Sequence, residues 1–251
     1  MSTNKSRLYR ILAVLFALAV WQIASLMVAN ELLLASPLQV IVRFSGLIFE
    51  KDFLVCVFNS LLRMSIGFIS AFVLGILFAV LSGRFKVMEY LLWPFVITIK
   101  SVPVASFIIL FLIWMDFTQL TVFIAFLIAF PVIYNNLLQG IKSTDKNLIE
   151  VAVLYKIPFG RRLLYMYLPG IKPFLLSACA IGVGMAWKAG VASEVIGKIE
   201  NSIGGKLYES KIYLENADLC AWTVIIILLS LITEKLFMFL LRGFFRRIEK
   251  I

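Results

Sequence analysis

Residues 60–81 read SLLRMSIGFISAFVLGILFAVL: twenty-two positions with one charge, Arg63, and two glycines, Gly67 and Gly75. A bilayer's hydrocarbon core is about 30 Å thick and takes about 20 helical residues to cross, so this run has the length and polarity of a membrane-spanning helix. Its glycines leave notches in which another helix can lie close. Arg63 stands near one end, where its long stem can carry the guanidinium to the interface.

The rest of the chain repeats the pattern. Of 251 residues, 62% are hydrophobic and 15% charged, and mean hydropathy is +1.01. A soluble domain needs roughly a quarter to a third of its surface charged, which this composition does not supply. Five more spans are predicted at 8–29, 90–115, 120–138, 174–191 and 219–241, giving an all-α polytopic membrane protein with six transmembrane helices. The first follows Lys5, Arg7 and Arg10 in the manner of a signal peptide, but its apolar run is about twice the usual signal core and no small-residue cleavage site follows, so it is read as retained. Pro94 and Pro103 predict that the third span is bent or interrupted. The fifth span carries Gly182, Gly184 and Gly190 among alanines, read as positions of tight helix packing.

Charge sets the direction. With both termini on the cytoplasmic side, 15 of the 24 basic residues lie inside, five outside and four within spans, while nine of the 14 acidic residues lie outside. This distribution explains the net charge of +10 without nucleic acid. There is no histidine, which excludes HExxH zinc sites, Ser-His-Asp triads and a histidine proton relay. Three scattered cysteines, Cys56, Cys179 and Cys220, suit neither a metal site nor a disulfide framework. The outer segments are predicted at 30–59 and 192–218; the second reads equally as a surface turn and as a short re-entrant or interfacial element.

The longest inner segment is 139–173. Asn147 and Glu150 have capping-box spacing before a short apolar helix. Pro158 and Gly160 interrupt it, and a second short element with Arg161 and Arg162 is expected to end at Pro169. By chemistry alone such a pair can rest on membrane lipid or dock on a cytosolic partner.

Glu150-Val151-Ala152 followed by Leu168-Pro169 resembles the "EAA" loop of permease subunits of bacterial ATP-binding-cassette (ABC) importers. Ile99-Lys100-Ser101-Val102-Pro103, Ile113-Trp114 and residues 184–197, GMAWKAGVASEVIG, look like the sulfonate, taurine and nitrate branch of that binding-protein-dependent family. The likeness covers roughly residues 60–246. Lys156 departs from the family pattern, which has glycine there, and Gly160 is expected to replace part of its flexibility.

The resemblance implies a type I importer permease fold, one transmembrane permease domain over 1–251 with the coupling loop at 139–173, in the cell (inner) membrane. It implies two permease copies, a homodimer or two related chains, two cytosolic ABC ATPase subunits and an extracytoplasmic solute-binding protein. The chain itself binds no cofactor and is not an enzyme: ATP and Mg are used by the partner ATPase, in keeping with the lack of a GxxxxGK[ST] run here. Glu150, Ala152, Lys156, Gly160 and Pro169 are the expected ATPase-coupling residues, Ala152 by close packing on the partner. Lys100, Trp187, Lys188 and Glu194 are candidates for the substrate path, because an intramembrane charge is costly unless paired or facing a cavity. Lys188 and Glu194, six apart, are imperfectly aligned to pair with each other. A small anionic solute suits a cationic path, although related transporters also import neutral or cationic vitamin-precursor molecules. The alternative is an ion-coupled secondary transporter or channel, disfavoured by the few intramembrane carboxylates.

Overall fold

Small residues at every fourth position of one helix set the geometry of the bundle. The structure, a computed structural model, describes residues 3–28, 30, 33–144, 147, 150, 152 and 154–248. Its long helices are α1 (Thr3–Val28), α3 (Phe53–Arg84), α6 (Phe117–Lys142), α7 (Leu168–Gly197) and α9 (Asn216–Ile248), with shorter helices α2 (Pro37–Leu47), α4 (Lys86–Ser101), α5 (Val104–Phe111) and α8 (Ile203–Ile212). Among the described residues there is no strand. Five helices are long and apolar enough to cross a membrane, and α4 with α5 makes a sixth, broken span.

On α3, Gly67, Ala71, Gly75, Ala79 and Gly83 form one ridge. A side chain at Gly67 would come within 2.6 Å of the Val122 carbonyl and 2.7 Å of Ala125 Cβ; at Gly75 or Gly83 it would come within 2.8 Å of Ile133 or Ile141. Gly67, Gly75 and Gly83 therefore meet Ala125, Ile133 and Ile141 in the same order, so α3 and α6 run parallel, with the four-residue ridges of both helices in contact. Two parallel helices require the chain between them to recross the bundle, which is the task of α4 and α5. These two meet at 104°. The break lies at Val102, held extended (φ −85°, ψ 134°) by the proline after it. Pro94, by contrast, sits inside α4 without ending it.

Helix α7 runs antiparallel to α3, with Gly182 against Phe68 and Gly190 against Met64. These two glycines thus pack within the chain rather than against a second copy, while a side chain at Gly184 would meet nothing within 4 Å. Ser193 Oγ and Thr121 Oγ1, 3.1 Å apart, join α7 to α6 in the buried core. Helix α9 is parallel to α3, with Trp222 stacked on Phe53 (5.6 Å) and Phe237 edge-on to Phe68 (4.9 Å). Around this α3–α6–α7 spine, α1 stands apart. None of its most apolar stretch is buried, and it is held at its far end by Trp21 Nε1 donating to the Ala35 carbonyl (3.1 Å) and Ser25 Oγ to that of Leu34 (3.0 Å). One end of the molecule thus carries Arg84, Lys142, the 139–173 segment and the end of α9; α2 and α8 lie at the other.

The outer segments hold more structure than expected. Residues 30–59 contain α2 and the first two turns of α3. Helix α2 starts with a reciprocal capping box, Gln39 N donating to Ser36 Oγ (3.3 Å) and Ser36 N to Gln39 Oε1 (2.8 Å), with Pro37 in the first turn. In 192–218, α7 continues to Gly197 and α8 follows, so this is a packed helix rather than a surface turn.

At the opposite end, Pro169 does not stop a helix. It stands in the first turn of α7, and the chain is helical from Phe159 through a π-helical stretch, Leu163–Tyr167, directly into α7. Proline lacks the donor for the usual backbone bond, and a wider π turn just upstream is the local adjustment that absorbs the gap. The stretch outside regular spans is accordingly shorter than 139–173, beginning after Lys142. The capping of the helix after Asn147 rests partly on residues outside those described.

Candidate functional site

Three regions carry the residues singled out by sequence: a polar knot under α8, the α4–α5 break with the neighbouring part of α7, and the loop at the opposite end.

Glu194 lies near the end of α7 and is fully buried. Its carboxylate is within 2.9 and 2.8 Å of Ser60 Oγ, accepts from Arg63 NH1 at 3.2 Å, and accepts from the backbone N of Gly204 at 3.1 Å. Ser60 Oγ also accepts from the backbone N of Ile203 (3.0 Å). Of the first amides of α8, that of Gly204 thus donates to the carboxylate and that of Ile203 to its hydroxyl partner, at a helix N-terminus whose exposed donors and dipole favour negative charge. Gly204 permits this closeness: any side chain there would collide with Glu194 Cβ and with Val195 N, 2.8 Å away. Glu194 is therefore a tie between α3, α7 and α8. Its partner is Arg63, not Lys188, and the reading of Arg63 as a residue that snorkels to the interface is corrected accordingly.

Around the knot, Arg43 on α2 makes a two-pronged contact with Asp218, Nε to Oδ1 and NH2 to Oδ2 (2.7 Å), and reaches Glu50 at 2.9 Å. The hydrogen bond that Arg43 donates to Asp218 is the main reason the Arg43 pKa is raised. In α8, a hydrogen bond to Glu209 raises that of Lys206.

Lys100 and Lys188 are both exposed, and among the described residues no ion pair involves either. Lys100 sits one residue before the last of α4, beside the 104° break. Their sequence neighbours Ile99 and Ala189 share a satellite core with Ile108, Leu120 and Ile124, which brings the α4–α5 break against α7. Trp187 is buried, at 1% exposure, and its indole N–H has no hydrogen-bond partner among the described residues.

In the inner loop, the turn after Ala152 is a Schellman motif. Ile157 N donates to the Ala152 carbonyl (2.9 Å), and Lys156 adopts the left-handed conformation, φ 51°. This is the conformation for which glycine is the usual residue, so the turn survives with lysine in glycine's place. Gly160, expected to lend flexibility, does not: it is helical, within Phe159–Arg162, and no described glycine has positive φ. Ala152, expected on a partner's surface, is fully buried by the chain itself. Glu150 is exposed, as are Leu154 (77%) and Tyr155 (75%). Tyr155, Lys156, Ile157, Pro158, Arg161 and Tyr165 line a concavity of about 420 Å³.

Residues 71–250 match the model of the family described as binding-protein-dependent transport system inner membrane component. The chain belongs to that family. Among its relatives, a Bacillus subtilis protein named as an aliphatic sulfonates transport permease is 25% identical over 219 residues, 86% of this chain and 79% of that protein. The formylaminopyrimidine transport permease protein of Halalkalibacterium halodurans is 27% identical over 193 residues, 74% of each chain. The nitrate import permease protein of Synechocystis is 26% identical over 194 residues, covering 73% of this chain and 70% of the relative. Membership and the six spanning units make the chain a multi-pass permease subunit with the type I ABC importer fold. Membership in the family decides for a permease where sequence had left a channel or secondary transporter open.

What sequence missed here is the company of Glu194. Ser60 and Arg63 are one helical turn apart and face it together, a spacing visible in the sequence, but Gly204 N is a backbone donor with no sequence signature.

Proposed function

We propose that this chain pairs with a second permease copy, as a homodimer, to form the path for a small anionic solute delivered by an extracytoplasmic binding protein. Cytosolic ATPase subunits bind and hydrolyse ATP with Mg, and drive the path through the inner loop. Both termini lie in the cytoplasm of a cell whose inner membrane holds the complex.

The observation that carries this reading is the inner loop. Its helix is fixed from below by buried Ala152 and closed by the left-handed turn at Lys156, while Glu150, Leu154 and Tyr155 remain exposed at the end of the bundle. A rigid element with an exposed apolar and charged face can transmit a partner's motion to α6 and, through the continuous helix from Phe159, to α7. Glu150 and the Tyr155–Tyr165 concavity form the docking face; Lys156, Pro169 and Gly160 shape the backbone behind it.

Support for an anionic solute comes from Lys100 and Lys188, two exposed cations in spans without a carboxylate partner among the described residues. Trp187 adds a donor with no acceptor among the described residues. Glu194 is left out of the path, since all its contacts are spent on holding helices together.

The test is reconstitution. Proteoliposomes with the permease, its ATPase and its binding protein are expected to take up solute only when ATP and all three components are present. Nucleotide hydrolysis by the isolated chain, or uptake driven by an ion gradient without ATPase, would overturn the reading.

A further inference from the structure

Helix α9 has 33 residues, about 50 Å at 1.5 Å per residue, against a hydrocarbon core of about 30 Å. Its last turns therefore stand at headgroup level. Lys235, Arg242 and Arg246, at about 100° per residue, fall within roughly 40° of one another around the axis. All three are exposed, and none forms an ion pair among the described residues. With Met238, Phe239 and Gly243 they line a concavity of about 440 Å³. Gly243 forms its open side, since a side chain there would meet nothing within 4 Å. Along the helix Lys235 comes first, then the apolar floor of Met238 and Phe239, then the two guanidinium groups, toward which Lys235 can extend its ammonium. Next to the stripe is a lipid-facing surface of Leu236 (58% exposed), Leu240 (60%) and Phe244 (58%).

We propose that the C-terminal end of α9 binds one anionic phospholipid, its phosphate held by Lys235, Arg242 and Arg246 and its acyl chains laid over Phe239 and the neighbouring apolar face. Two observations favour lipid over an acidic protein surface. The two arginines stand beyond the exposed apolar side chains at the end of the helix, with Lys235 below them and reaching up, and Phe239, 75% exposed between Lys235 and Arg242, is placed for acyl contact. Arg247 provides an internal control: it is exposed and basic, but about 100° away around the helix. The site is independent of the transported solute and of ATP coupling.

The experiment is native mass spectrometry of the full chain in detergent micelles, titrated separately with phosphatidylglycerol, phosphatidylcholine and inorganic phosphate. One phosphatidylglycerol is expected to be retained in preference to phosphatidylcholine, with no displacement by inorganic phosphate. The double substitution Arg242→Gln with Arg246→Gln is expected to weaken retention roughly 30-fold, from the usual contribution of two interfacial cations. Arg247→Gln is expected to leave it unchanged. Gly243→Leu, which fills the concavity without removing charge and whose Cβ meets nothing within 4 Å, is expected to abolish retention while the unfolding temperature measured without lipid stays at the parent's value. Equal retention of both lipids, equal loss in the Arg247→Gln variant, competition by inorganic phosphate, or undiminished binding in Gly243→Leu would each overturn the proposal, as would displacement of the lipid by the ATPase subunits.

Discussion

The Ser60 hydroxyl and the Glu194 carboxylate, on two different spans, lie 2.9 and 2.8 Å apart through both carboxylate oxygens, at a point fully removed from solvent. A buried carboxylate is tolerated only with its lone pairs occupied, and here a hydroxyl, a guanidinium and a helix amide occupy them. Truncating one member leaves the others unmatched. Glu194→Ala is expected to destabilise the permease by about 3–5 kcal/mol and Ser60→Ala by about 1–3 kcal/mol. Thermal unfolding in micelles measures both, and parent-like stability of Glu194→Ala would remove the knot from the account of the fold.

Lys156 holds a left-handed backbone without glycine's freedom, at a cost of about 1–2 kcal/mol. Lys156→Gly is expected to stabilise the inner loop by about 1 kcal/mol, less the greater freedom glycine gives the unfolded chain. Lys156→Val should destabilise it by more, since a β-branched side chain is a poor fit there. Protection of the 152–158 segment from protease, compared across the three proteins, ranks them. If the valine variant is as protected as the glycine variant, the turn described here is not the one in solution.

The glycines separate into two groups by what surrounds them. Gly67→Leu must drive α6 away from α3 and is expected to cost about 1–3 kcal/mol or more through overpacking. Gly184→Ala should leave the stability of the monomer unchanged, because among the described residues the added Cβ meets nothing within 4 Å. If it instead reduces dimer content on a sizing column at unchanged unfolding temperature, Gly184 belongs to the contact between permease copies.

Glu150 distinguishes a local cap from transmission. Glu150→Gln can keep a cap's hydrogen bond but not its charge, whereas Glu150→Ala loses both. Assembly with the ATPase is expected to survive in both variants, because the rest of the docking face, the Tyr155–Tyr165 concavity, is unchanged, while ATP-coupled uptake falls in both. Normal uptake by the Gln variant would reduce Glu150 to a cap, and normal uptake by both would end its role in coupling.

For the path, Lys188→Gln and Lys100→Gln are expected to reduce uptake of an anionic solute by about tenfold each, the effect of roughly 1.4 kcal/mol, with assembly and stability retained. Unaltered uptake in the pair of variants would direct attention away from these lysines.

How much of this was legible in sequence follows from the kind of force involved. The spans were, because crossing a hydrocarbon layer imposes a length and a polarity that any stretch such as 60–81 must display. The break at Pro103 was as well, since proline acts on its immediate neighbour. Helix α2 could have been found from Ser36-Pro37 and Gln39, a cap signature inside a segment read as loop. The position of Glu194 could not, because its partners come from α3 and α8, which meet α7 through close packing at Gly182, Gly190 and Gly204. Nor could the continuity of α7 through Pro169, where the π turn upstream compensates for a residue that by itself signals a stop.

The matched order of Gly67, Gly75 and Gly83 on α3 with Ala125, Ile133 and Ile141 on α6 bears on biogenesis. A chain enters the membrane from its N-terminus, and α3 is complete well before any of α6 has left the ribosome. During that interval its three notches face lipid, and the broken α4–α5 pair is all that separates them from the helix that will fill them. A nascent chain arrested before residue 142 thus exposes a groove shaped for a helix not yet made, making that stage the natural point for a membrane insertase or quality-control protease to recognise the unfinished permease.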